Sequence, residues 1–145
     1  MATINATISV RSDIMSYPTN ISKTMTMKKA GTTNGLTEST GLATRKFSGT
    51  NNQNDIITVA NESASTTGAN KLYIRNTGSS KVNYFRIGLG ASSTSTTPQE
   101  TEEIGRLYGG DWMLIPYLAE DANWDVMVKP STAEEMTLEY MLFHE

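Results

Sequence analysis

Apolar residues recur at every second position along this chain, and no stretch keeps the 3.6-residue spacing of an amphipathic helix. Thr3 to Arg11 (TINATISVR) alternates strictly, with Ile4, Ala6, Ile8 and Val10 on one face, which predicts a half-buried strand. Ile21 to Lys29 alternates again, placing Ile21, Met25 and Met27 inward and Ser22, Thr24, Thr26 and Lys28 outward. Lys23 falls on the methionine face, which marks this strand as a sheet edge or part of an interface. Tyr17-Pro18-Thr19-Asn20 reads as the turn between them.

Further short strands are expected at Ala43–Ser48, Asp55–Ala60, Lys71–Asn76, Val82–Leu89, Asp111–Tyr117, Trp124–Lys129 and Met136–Phe143. Thr77-Gly78-Ser79-Ser80 reads as the hairpin joining Lys71–Asn76 to Val82–Leu89. Gly109-Gly110-Asp111 is the turn that feeds the Trp112-led strand. Gly31–Gly41, Asn61–Asn70 and Ala91–Glu103 read as polar loops; the first and last are too polar to anchor a core but long enough to reach a neighbour. Thr132 to Met136 has room for one helical turn at most. Ser, Thr and Asn supply about a third of the residues, a composition that suits pleated surfaces and turns rather than helix interiors. With 145 residues and about nine strands, the expectation is a single all-β domain, a sandwich or barrel.

Several function classes find little support. A net charge of −3 gives no electrostatic footprint for nucleic acid, and Lys23, Lys28, Lys29, Arg45 and Lys46 read as solvated charge. The chain has no cysteine, which excludes disulfides, thiolate metal sites and cysteine nucleophiles. The start MATINATISV has neither a basic nor an apolar leader region, and no apolar run approaches the ~20 residues of a membrane helix. A soluble protein made in a cytoplasm, without membrane contact, is expected.

Catalytic groups are sparse. The one histidine, His144, sits where tails fray, a poor place for a triad. GLGASS (88–93) lacks the lysine and following helix of a phosphate loop. Asp121, Asn123 and Asp125 open like a calcium loop, but Val126 stands where the glycine belongs and no glutamate closes it. Glu100, Glu102, Glu103 and Asp111 offer carboxylates for a glycosidase, without an apolar pocket to raise a pKa. The sequons at Asn5, Asn20 and Asn61 fit chance in an Asn/Ser/Thr-rich chain. Neither an enzymatic activity, a metal nor a cofactor is expected.

What remains is surface. The chain has eight methionines, a residue that adapts to irregular partners. Tyr73, Tyr84, Phe85, Trp112, Tyr117 and Trp124 alternate within strands as core or interface aromatics do. Lys23, Met25, Met27, Trp112 and Trp124 are the candidate interface residues.

From Lys71 to Phe143, half the chain, LYIRNTG is followed by FRIGLG, then by a Gly-Asp turn into a proline-bearing strand (GGDWMLIPY), a Trp-led strand (NWDVMV) and a final LEYMLF. This order of strands and turns resembles small jelly-roll proteins of tailed-bacteriophage virions. The resemblance implies a jelly-roll β-sandwich of eight to nine strands and a non-enzymatic virion structural protein. It points to a capsid decoration (cement) protein on the virion surface, made in the host cytoplasm, whose partner is the major capsid protein. A homo-oligomer, a trimer foremost, is expected. A tail, neck or fibre component and a carbohydrate-binding jelly-roll module are the alternatives.

Overall fold

The computed structural model describes residues 3–14, 18–48, 54–58, 69–90, 103–119 and 124–145. It is all-β, with no α-helix among the described residues; where Thr132–Met136 has room for a helical turn, residues 131–134 form bends and Met136 begins a strand. The described residues form eleven strands: β1 (Asn5–Ser12), β2 (Thr19–Thr26), β3 (Glu38–Ser39), β4 (Ala43–Phe47), β5 (Asn54–Ile57), β6 (Lys71–Asn76), β7 (Tyr84–Gly90), β8 (Glu103–Tyr108), β9 (Trp112–Pro116), β10 (Asp125–Pro130) and β11 (Met136–His144).

From β4 onward the pairing is nested and antiparallel. β4 pairs with β11, β5 with β10, β6 with β9 and β7 with β8. Contacts of β11 with β6 and of β10 with β7 then complete two sheets, β4-β11-β6-β9 and β5-β10-β7-β8. Period-two alternation puts Leu72, Ile74, Leu138 and Leu142 on the inner face of the first, and Phe85, Ile87, Val126 and Val128 on that of the second. All eight belong to one buried cluster. Phe47 of β4 meets Phe85 of β7 edge-on, ring centroids 5.3 Å apart, so the two layers share one core.

β3 continues the β4 edge by pairing with Phe143 and His144 of β11. Between β3 and β4, Thr40 carries the ladder across the break: its amide donates to the Leu142 carbonyl at 3.0 Å and its hydroxyl accepts the Leu142 amide at 3.0 Å. The Gly31–Gly41 stretch is therefore no free loop. Leu36 within it is completely buried, and Gly31 and Gly41 hold positive φ angles of 66° and 76°.

Several other expectations are corrected. Thr77–Ser80 does not close a hairpin: β6 and β7 lie in different sheets, so the segment is a crossover. Thr19 and Asn20 belong to β2 rather than to a turn; Tyr17 lies outside the described residues. β8 was not expected at all. Its inward positions are Gly105 and Leu107, so no apolar alternation announces it, while Ile104 faces out and is exposed. His144 is not in a frayed tail: it is buried at the end of β11, with Nδ1 3.8 Å from Oε2 of Glu38.

β1 and β2 form a separate two-stranded ribbon whose register runs unshifted from Asn5↔Thr26 to Ser12↔Thr19. The expected half-burial is absent. The alternation holds, but among the described residues no layer of the sandwich covers the apolar side.

Candidate functional site

Three features outside the core present chemistry: the Gly-Asp turn, the outer sheet surfaces, and the cavity beside Trp124.

The turn forms where expected. The Asp111 amide donates to the Tyr108 carbonyl at 2.9 Å, and Gly110 at the third position takes φ 90°, as a type II turn requires. Oδ2 of Asp111 accepts the Tyr108 amide at 2.9 Å. The turn is also tied to the β6–β7 crossover. Gly110 donates to the Asn76 carbonyl at 3.0 Å, Asn76 donates to the Asp111 carbonyl at 3.0 Å, and the Lys81 ammonium reaches the Gly109 carbonyl at 2.7 Å. Buried Asn76 completes the lock: its side-chain amide donates to Leu107 O at 2.9 Å and its Oδ1 accepts Gly78 N–H at 3.0 Å. These bonds fix backbone, so Gly109, Gly110 and Asp111 have a structural role.

The ribbon is amphipathic. One face carries the cross-strand rows Ala6/Met25, Ile8/Lys23 and Val10/Ile21; the other carries Asn5/Thr26, Thr7/Thr24, Ser9/Ser22 and Arg11/Asn20. Polar contacts knit the second face, with the Thr7 and Thr24 hydroxyls 2.9 Å apart and the Thr26 hydroxyl donating to Asn5 Oδ1 at 2.9 Å. On the first face Ile8, Val10, Ile21 and Met25 are each 42–46% exposed. Lys23 and Met25 therefore stand on an open surface, Met25 contrary to its expected inward position. Met27 does not: it is buried at the ribbon's base, where its amide donates to Ile4 O at 2.9 Å and its carbonyl accepts Leu36 N–H at 3.1 Å.

The outer face of the β11-β6-β9 sheet is the second surface, half-buried along Met141, Tyr73, Leu114 and Phe143. Register aligns Met141, Tyr73 and Leu114 across it, flanked by Glu139, Arg75 and Trp112 on one side and Phe143, Lys71 and Pro116 on the other. Trp112 is half exposed on the edge strand. The Tyr73 hydroxyl donates to Glu139 Oε1 at 2.9 Å; burial, helped by that carboxylate, pushes the phenol above its ordinary value.

Trp124 lies elsewhere. It lines a cavity of about 310 Å³ with Lys71, Leu89, Pro116, Tyr117 and Leu118. The Tyr117 hydroxyl donates to the Trp124 carbonyl at 2.7 Å, and the Lys71 ammonium bonds the Ala69 carbonyl at 2.6 Å. Burial lowers the Lys71 pKa. The five interface candidates are thus not one patch: two sit on the ribbon, one beneath it, Trp112 at the start of β9 and Trp124 beside its end.

The carboxylates weighed for catalysis are dispersed. Glu103 bridges Arg86 at 2.6 Å and Arg106 at 3.0 Å. Burial pushes its carboxyl up, but hydrogen bonds from the two guanidiniums outweigh this and hold it below the usual carboxylate value. Asp111 is in the turn. Asp125 is wholly buried at the start of β10, whereas Glu100, Glu102, Asp121 and Asn123 lie outside the described residues. No cluster of three or more metal-ligating side chains occurs among the described residues. The basic residues are spread as well, with Lys46 paired to Glu135 at 2.8 Å and Arg45 bonded to Asp55 O at 2.8 Å. No protein-family model matches this chain, and neither a curated protein nor a solved structure does.

Proposed function

We propose that the chain is a non-enzymatic structural protein of a tailed-bacteriophage virion, a capsid decoration protein that attaches to the assembled shell as a homo-oligomer. The observation that carries the reading is the outer face of β11-β6-β9, where an apolar central row of Met141, Tyr73 and Leu114 is flanked by mixed rows that set half-exposed Trp112 beside Arg75 and Phe143 beside Lys71. An aromatic and methionine centre within a polar surround is the anatomy of a protein interface. The nested order from β4 to β11, with β4 beside β11 and β5 beside β10, supports the jelly-roll architecture that the resemblance implies. Several such faces engaged together on a shell hold far more tightly than one.

The test is co-sedimentation with purified shells and with free major capsid protein. Binding to shells far stronger than to free subunits, weakened by Trp112→Ala and Tyr73→Ala, is expected. Equal binding to both, or none, removes the reading. Copy number per virion then separates locations: numbers in proportion to capsid subunits mark a shell protein, numbers matching a single vertex a tail, neck or fibre part. The Trp124 cavity favours a second reading, a carbohydrate-binding module, and a glycan array in which Trp124→Ala abolishes a signal identifies it.

A further inference from the structure

The β1–β2 ribbon carries an inference that holds whether or not the shell reading does. Eight residues in each strand make a face roughly 27 Å long and 10 Å wide. An isolated two-stranded ribbon is marginal in water, yet this one has an unbroken register, no proline within its strands, no partner strand on either edge among the described residues, and three rows of one face that are apolar except for Lys23. We propose that the ribbon is an oligomerisation stalk, and that its apolar face packs against the same face of two further copies of this chain about a three-fold axis.

Area and charge select that occupant. A face of this size covered by a single partner buries well short of the ~800 Å² per side of a standard stable interface. A three-fold arrangement closes the edges as well. β1 and β2 are antiparallel, so β1 of each ribbon runs antiparallel to β2 of the next, and the open edges meet around the ring. All the apolar side chains then point inward and the Thr/Ser/Asn face meets water.

Lys23 and the strand edges together select three copies over two. Lys23 is the one charged side chain on the apolar rows, and it shares the central row with Ile8. A two-fold, face-to-face pair of antiparallel ribbons would bring two ammonium groups together, a costly arrangement, and a two-fold pair in either direction leaves the edges of β1 and β2 without partner strands. In the three-fold bundle Lys23 lies on β2 beside the neighbour's β1, where its long stem can cover apolar surface while the ammonium leaves through the seam.

The chain has no cysteine, so one introduced thiol reads out proximity cleanly. Wild-type protein should sediment as three chains. Ile8→Cys should cross-link between chains with a short bismaleimide, and Ser9→Cys, on the opposite face, should not. Val10→Asp combined with Ile21→Asp should raise the dissociation constant by at least ~100-fold, since it places unpaired charge in the bundle. Both residues lie outside the sandwich core, so the melt of the body should persist in this variant and show that it is folded. A wild-type monomer or dimer, an unchanged trimer in the double variant, or equal cross-linking from Ile8→Cys and Ser9→Cys overturns the proposal.

Discussion

The amide of Gly109 donates to the carbonyl of Ser80 at 2.8 Å, and the two backbones are so close that a Cβ on Gly109 would stand 2.5 Å from both the nitrogen and the oxygen of Ser80. No flexible side chain can yield there, so Gly109→Ala must push the β6–β7 crossover off the turn. A loss of about 1–3 kcal/mol is expected, as for other overpacked sites. Gly110 has open space but positive φ, so Gly110→Ala should cost about 1 kcal/mol through the backbone alone. Denaturant melts should rank Gly109→Ala at least as damaging as Gly110→Ala; the reverse order would show that the crossover gives way easily.

Asn76 uses both ends of its side chain while almost fully buried. Asn76→Asp leaves the Leu107 carbonyl without its donor and buries a charge, so it should destabilise by more than Asn76→Ala, itself expected at about 1–3 kcal/mol. Equilibrium unfolding above and below the carboxylate pKa checks this, because acid should narrow the gap between the two variants.

Glu103 lies between Arg86 and Arg106, which face one another directly across β7 and β8. Like charges opposed in this way destabilise a ladder unless something intervenes. The folded pKa of Glu103 is depressed, so its stabilisation is present above the unfolded carboxylate value near ~4.3. It is lost as pH falls through the lower folded pKa. Glu103→Gln should cost about 1 kcal/mol at neutral pH, and its stability curve should converge on that of the wild type in acid. Parallel curves down to low pH would contradict the assignment.

Leu36 is completely buried in a segment that otherwise looks like linker, and its amide bonds the Met27 carbonyl at the foot of the ribbon. Leu36→Ala should cost about 2–4 kcal/mol, and hydrogen exchange should accelerate in β1 and β2 before it does in β6 or β11. Deleting residues 31–41 should do worse, since it also removes β3 and the Thr40 link to Leu142.

Local chemistry alone determined a good deal of this protein. Leu72 and Ile74 alternate with Lys71, Tyr73 and Arg75, and the strand they predict is β6 from end to end, because one pleated face must be apolar wherever a layer covers it. Gly110 and Asp111 specify their turn by the same kind of rule, one supplying positive φ and the other a side-chain acceptor. Tertiary structure alone decided what covers each face and which strand lies beside which. The period-two pattern of Ile4, Ala6, Ile8 and Val10 names a shared face in either case, but whether another layer lies over it depends on residues distant in the chain. Thr77–Ser80 has the composition of a hairpin, yet β6 and β7 separate into different sheets because the pairs β6–β9 and β7–β8 are made by residues further along. His144 is buried for a similar reason: Glu38, more than a hundred residues away in sequence, brings an edge strand alongside it. Gly105 on the inward side and Ile104 on the outward side hid β8, and only the fold laid it beside β7, where Glu103 bridges the opposed Arg86 and Arg106.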